Sequence, residues 1–269
     1  MRGLRRGPAG PAPARLVGAA LVGAVVLLAV LGPLLVTDSP IRQDLSRVLA
    51  APSASAWLGT DQLGRPVLAR LVHAARLSLL LGAGTVAAAA LTGVLLGLAA
   101  AWAGGWADRA LSGLADAVLA LPGLLLVLLV VAIQPGAFWP LFLGLAFAMW
   151  VEWFRVTRAA SAALFASPAV EAARLLGFGP WHVLRRHVLP ELLPLFGTLA
   201  AFGLAGAVLA MGGLGFIGVG LRPPTPEWGL MMVELLPHYG EAPVALLAPA
   251  LCLVALVLGL QLLAGREAR

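Results

Sequence analysis

Long apolar runs separated by polar breaks dominate the chain. The runs at 16–36, 77–101, 110–133, 138–157, 194–220 and 244–264 each approach or exceed the roughly 20 residues that a helix needs to cross a bilayer. They predict an all-α fold with about six transmembrane helices. Two polar stretches interrupt the pattern, at 37–76 and 167–194. The first contains Asp38, Asp44, Asp61 and five arginines, and its last part alternates apolar and basic positions at helical spacing. That predicts an external loop followed by an amphipathic interfacial helix. In the second, Ser167 stands at a capping position, Pro168 at a first helical position, and Gly177, Gly179 and Pro180 can end one helix and begin another. Two short helices joined by a tight turn are predicted there.

Composition agrees with a membrane protein. Hydrophobic residues make up 61% of the chain and charged residues only 11%, where a soluble domain carries about a quarter charged. The net charge of +6 fits basic loops beside anionic lipid better than it fits nucleic acid, and no nucleic-acid partner is expected. All eighteen basic residues are arginine. A phosphate loop of the Walker type needs lysine, so this chain does not hydrolyse ATP by that route. Cys252 is the single cysteine, which excludes an internal disulfide and a thiolate metal cluster.

Charge also predicts orientation. Arg2, Arg5, Arg6 and Arg15 precede an apolar run too long for a signal peptide's core of about 7–15 residues, so the first helix reads as uncleaved, with its N-terminus in the cytoplasm. That choice places twelve arginines inside: four at the N-terminus, Arg109, five from Arg155 to Arg186, and two in the tail. The resulting divisions are a cytoplasmic N-terminus at 1–15, a first transmembrane helix at 16–36, an external segment at 37–76, a core transmembrane region at 77–264 and a cytoplasmic tail at 265–269.

Three motifs carry a family resemblance. Glu171-Ala172-Ala173, then Gly177, then His187 ahead of Leu189 and Pro190, resembles the EAA loop of ABC-importer permeases, and looks most like the peptide/nickel subfamily. The stretch from Trp57, with Asp61, Gly64 and Arg65, resembles the same subfamily, although Pro66 replaces its usual aspartate. The glycine run Met211 to Gly220, leading into Leu221-Arg222-Pro223-Pro224-Thr225-Pro226-Glu227-Trp228-Gly229, is the third match. The tail departs from the subfamily, lacking the usual aspartate-bearing end.

The resemblance implies a type I ABC-importer permease fold in a bacterial inner membrane, with both termini cytoplasmic. It implies a second permease subunit forming a heterodimer, two ATPase subunits that hold ATP and Mg, and a periplasmic or lipid-anchored binding protein. No cofactor is implied in this chain. Cargo would be peptides, nickel or other metal chelates, including metallophores. The segment 167–190 becomes a cytoplasmic coupling loop, with Glu171, Ala172, Ala173, Arg174, Gly177, His187, Leu189 and Pro190 as its working residues. Alanines permit close approach, Glu171 and Arg174 can pair at i,i+3 or reach across the contact, and Gly177 permits the turn.

Several polar and glycine positions have two readings. Gly212, Gly215, Gly218 and Gly220 suit a gate or an interface between permease subunits. Asp116 reads as a partner for an arginine, near the gate. Glu152 reads either as an i,i+3 partner of Arg155 or as a pathway residue that attracts cationic cargo. Asp61 and Arg65 either line a mouth for the binding protein or cap and anchor an interfacial helix. Trp228 suits the membrane interface. No catalytic or metal site is expected: His73 is isolated, and His182 and His187, five apart, fall on different faces of an α-helix. An ion-coupled secondary transporter and a membrane-embedded enzyme remain as other classes, the first needing ion sites at broken helices and the second convergent catalytic groups.

Overall fold

The computed structural model describes residues 12–264, and its named elements are all helical. Helix α1 is Ala12–Leu35; a polar segment with a 3-10 turn at Leu45–Arg47 leads to α2, Val67–Ala103. Then come α3 (Gly105–Leu119), α4 (Gly123–Val131), α5 (Phe138–Phe165), α6 (Pro168–Leu175) and α7 (Pro180–Val183). A π-helical turn, Leu184–Val188, joins α7 to α8 (Leu189–Phe216), and α9 (Trp228–Leu235) and α10 (Pro243–Ala264) follow. Arg2, Arg5, Arg6 and the tail from 265 to 269 lie outside the described residues.

Four helical runs are long and apolar enough to cross a membrane: α1, α2, α7 through α8, and α10. The pair α3 and α4 makes a fifth if it counts as one span, but it is bent by 78°. Pro122 explains the break in the run expected at 110–133, because it has no N–H to donate and disfavours helical conformation at Leu121. Helix α5 has the length, 28 residues, while Glu152, Arg155 and Arg158 make it less apolar than the others.

The separate interfacial helix expected before residue 77 does not form. Helix α2 begins at Val67 and runs unbroken for 37 residues. Its first turns bury Val67, Arg70, Leu71, Ala74 and Ala75 in the bundle instead of laying them on lipid. The basic position that suggested amphipathic character, Arg70, turns inward to acidic partners.

Glycines set the closest helix contacts. A Cβ at Gly93 would stand 2.6 Å from the Trp150 carbonyl, and one at Gly97 would stand 2.8 Å from that of Phe154, so α2 and α5 meet backbone to backbone. Gly18 of α1 and Gly259 of α10 meet in the same way. Such contacts matter in lipid, where dispersion and close packing replace the hydrophobic effect between helices. Helix α9 closes one end of the bundle: Trp228, Met231 and Leu235 are fully buried with Ala205, Val208 and Leu256. Trp228 is therefore a core residue and not an interfacial anchor.

Candidate coupling loop and polar sites

The 167–190 loop forms as the local residues dictate at its first end. Ser167 has the extended backbone of an N-cap, but its side chain makes no capping bond; its carbonyl accepts from the Val170 and Glu171 N–H groups. Gly177, at φ +83°, ends α6. The Phe178 N–H donates to the Ala173 carbonyl and the Gly177 N–H to that of Arg174, the paired closure that needs a left-handed residue.

The second half differs from the expected free-standing short helix. Helix α7 passes through the π turn, where the Leu189 N–H donates to the Leu184 carbonyl, directly into α8. Pro190 and Pro194 supply no N–H on this run, and the widened turn lies immediately before them. The segment Pro180–Phe216 is consequently one helical run of 37 residues, joining the loop to the bundle without a break.

One face of the loop is anchored. Val170, Ala173, Val183, Val188 and Leu192 form a buried cluster against Leu98, Leu164 and Phe165. Glu171, Ala172, Arg174, Gly177 and Pro190 are exposed, and His187 and Leu189 are half-buried. Glu171 and Arg174 form no ion pair; the Arg174 guanidinium lies 5.7 Å over the Trp102 ring, which meets Phe165 edge-on. At the tip Leu175, Leu176, Phe178 and Trp181 are exposed. His182 stacks on Phe178 at 4.2 Å, and its ring centroid is 6.1 Å from that of His187. The π turn brings these histidines together, correcting the expectation of different faces, which holds only for α-helical geometry. A cavity of about 460 Å³ beside them is lined by Trp181, His182, Arg185 and Arg186.

The segment before α2 closes around a buried ionic cluster. Asp61 accepts from the backbone N–H groups of Leu63 and Arg65, from Arg65 Nε at 2.6 Å and from Arg70 Nη1 at 2.6 Å. Glu234 of α9 completes it, 3.1 Å from Arg65 Nη2 and 2.6 Å from Arg70 Nη2. The last contact is an ion pair whose angle falls outside hydrogen-bond geometry. Two arginines thus face two carboxylates, with Asp61, Arg65 and Arg70 all buried. Gly64 is required by its φ of +70° and because a Cβ would overlap the Asp44 carbonyl. Pro66 stands at the N-cap of α2 without a side-chain cap, and His73 Nδ1 donates to the Ala69 carbonyl at 2.9 Å.

The glycine run, expected at a gate or an interface between permease subunits, makes close contacts within the chain. A Cβ at Gly215 would meet Glu227 and, at 3.1 Å, the Leu230 nitrogen; one at Gly212 would reach Leu253 at 3.0 Å. Gly220 lies against Gly215, and Gly229 against the Gly212 carbonyl. Gly218, at φ +75°, closes α8 with the Val219 N–H donating to the Leu214 carbonyl. These contacts seat the start of α9, whose N-cap Glu227 accepts from the N–H groups of Gly229 and Leu230 at 2.9 and 2.8 Å. Burial pushes the Glu227 carboxyl above the ordinary range, while those two donors pull it back.

A ladder of charges links α3 and α5. Arg158 makes a bidentate pair with Asp108, and Arg155 Nη2 lies 2.5 Å from Asp116 Oδ1. Asp116 is thus an arginine's partner as expected, while Glu152 is exposed and, among the described residues, forms no ion pair with Arg155 or any other group. A charge facing hydrocarbon at a helix centre costs about 2.5–3.5 kcal/mol on insertion scales. In water an exposed ion pair contributes only about 0–1 kcal/mol.

Sequence reasoning missed four participants. Arg70, Glu234 and Asp108 gain their roles from distant partners, which no local spacing marks. Glu227 carried a readable signal, an acidic residue immediately before an apolar helix start.

An all-helical bundle with several membrane-length helices, and with an exposed helix pair between two of them, defines the class: a polytopic membrane protein. The sequence profile of the binding-protein-dependent transport system inner membrane component matches residues 93–266. The chain belongs to this family, and it is a membrane-embedded permease subunit of an ABC importer. The dipeptide transport system permease protein DppC of Alkalihalophilus pseudofirmus is 32% identical over 92% of this chain and 82% of its own length. The di/tripeptide transport system permease protein DppC of Pseudomonas aeruginosa is 34% identical over 89% and 81% respectively. A chain from an inward-facing structure of the MetNI methionine ABC transporter shares the fold at a TM-score of 0.51 and 18% identity, covering 70% of this chain and 92% of that one.

Proposed function

We propose that this subunit imports peptides, and that 167–190 is the cytoplasmic EAA loop through which partner ATPases drive it. The observation that carries the coupling role is the tip of the loop. Leu175 is 84% exposed, Leu176 76% and Trp181 67%, large apolar surfaces that a partner would cover. Beneath them lies a packed cluster, and behind them α7 continues into α8. A push on the tip is therefore passed into the bundle along a continuous helical run.

The mechanism is alternating access. ATP and Mg reside in the partner ATPases, whose closure moves the loop, and the permease pair turns outward to receive cargo from the binding protein. This chain and a second permease subunit enclose the path, with both termini of this chain in the cytoplasm. The peptide permeases among its relatives support peptide cargo over the nickel or metal-chelate cargo that the sequence motifs also allow.

Co-expression with the ATPase subunits tests the coupling role. A Leu175→Asp/Leu176→Asp double variant is expected to reach the membrane at normal abundance yet lose most of the ATPase that co-purifies with the unsubstituted chain. Equal ATPase recovery would refute the docking role.

A further inference from the structure

The polar face of α5 takes no part in the coupling loop. Glu152 lies near the midpoint of the helix, about 20 Å from either end at 1.5 Å per residue, and Arg155 follows one turn later. A hydrocarbon core is about 30 Å thick, so a lipid-facing side chain here would lie inside it. Yet Asp116 is 63% exposed and Arg155 54% exposed in their ion pair, and Glu152 is exposed beside them. The insertion penalty for such charges argues against this face meeting lipid.

The unburied stripe down α5 changes character along its length. Trp139, Leu143 and Phe147 give way to Glu152 and Arg155 and then to Ala159. Burial separates this ionic group from the Asp61 cluster. Arg65 and Arg70 are sealed among fixed partners, whereas Arg155 contacts Asp116 at an open surface. In water such a pair is weak, so Arg155 can change partners readily.

We propose that Asp116, Glu152 and Arg155 line the translocation path and form a transient binding station for a zwitterionic peptide. Arg155 exchanges Asp116 for the peptide carboxylate, and Glu152 and the released Asp116 receive its ammonium group. Glu152 and Arg155 stand three apart on a helix, with Cβ atoms about 5–6 Å apart. An extended dipeptide spans about 7 Å, a comparable length. No covalent change is involved, and the station holds cargo only as long as two exposed charge contacts last. This inference rests on the reading of the subunit as a peptide permease.

The single native cysteine simplifies the test. In a Cys252→Ser background, Glu152→Cys, Asp116→Cys and the charge-preserving Ala159→Cys are each assembled with the partner subunits in liposomes. They are then treated with a cationic, membrane-impermeant methanethiosulfonate. All three thiols are expected to react, at rates that change when ATP is added, and L-alanyl-L-alanine delivered by the binding protein should slow the reaction at Ala159→Cys several-fold. Adding Arg155→Gln should remove most of that protection. Absence of labelling with and without ATP would overturn the proposal and place the group in a subunit contact. Labelling that the dipeptide leaves unchanged would overturn it too, as would full protection with Arg155→Gln. Dipeptide uptake by the unsubstituted importer is measured in the same liposomes. No uptake means that the peptide reading has failed; uptake without protection means that the station has failed.

Discussion

Asp61 and Asp116 are both aspartates bound to arginine, and burial gives them opposite consequences. Asp61 is sealed, with two arginines and two backbone donors directed at it. Removing its charge leaves buried guanidinium groups short of a partner, a change that costs about 3–5 kcal/mol. Asp116 is exposed, where a pair contributes about 0–1 kcal/mol. Asp61→Asn is therefore expected to lower the melting temperature of the purified subunit in detergent markedly, and Asp116→Asn to shift it little. Equal shifts would contradict the assignment of one pair to structure and the other to an open surface. The sequence marks both residues as unusual in an apolar chain, but carries no local sign of which is enclosed.

Helix ends were more legible than helix partners. Pro168, Gly177 and Pro180 act through their own backbones, so the limits of α6 and the start of α7 follow from local rules. The continuity of α7 with α8 does not, because Pro190 and Pro194 argue for a boundary that the π turn bridges. At Gly177 the site is open, with no atom within 4 Å of an added Cβ, so Gly177→Ala strains only the left-handed backbone, by about 1–2 kcal/mol. That cost falls on the turn and leaves the buried cluster intact. Gly177→Ala is expected to depress peptide uptake strongly with chain abundance in the membrane unchanged; normal uptake would show that the turn's geometry is not used in coupling. The glycines of α8 illustrate the converse. Their number suggested close approach to something, and packing alone shows that within the chain Gly212 meets α10 and Gly215 the start of α9.

On the scale of the molecule, the loop at 167–190 and the ionic cluster before α2 are expected on opposite sides of the membrane. Cysteines tested one at a time in a Cys252→Ser background report this. Trp57→Cys should react with an impermeant maleimide in intact spheroplasts, and Phe178→Cys only in inverted vesicles. The reverse pattern would invert the topology and remove the coupling role. The extent of the apolar runs, the membrane class and the limits of α6 were determined by sequence alone, because they depend on run length against bilayer thickness and on what proline and glycine allow locally. Only the tertiary structure decided that Arg65 meets Glu234, 169 residues away, that Trp228 is enclosed and that Arg155 stands open. Burial and charge pairing depend on which helices meet and on what then surrounds each group, and spacing along a single chain does not specify those distances.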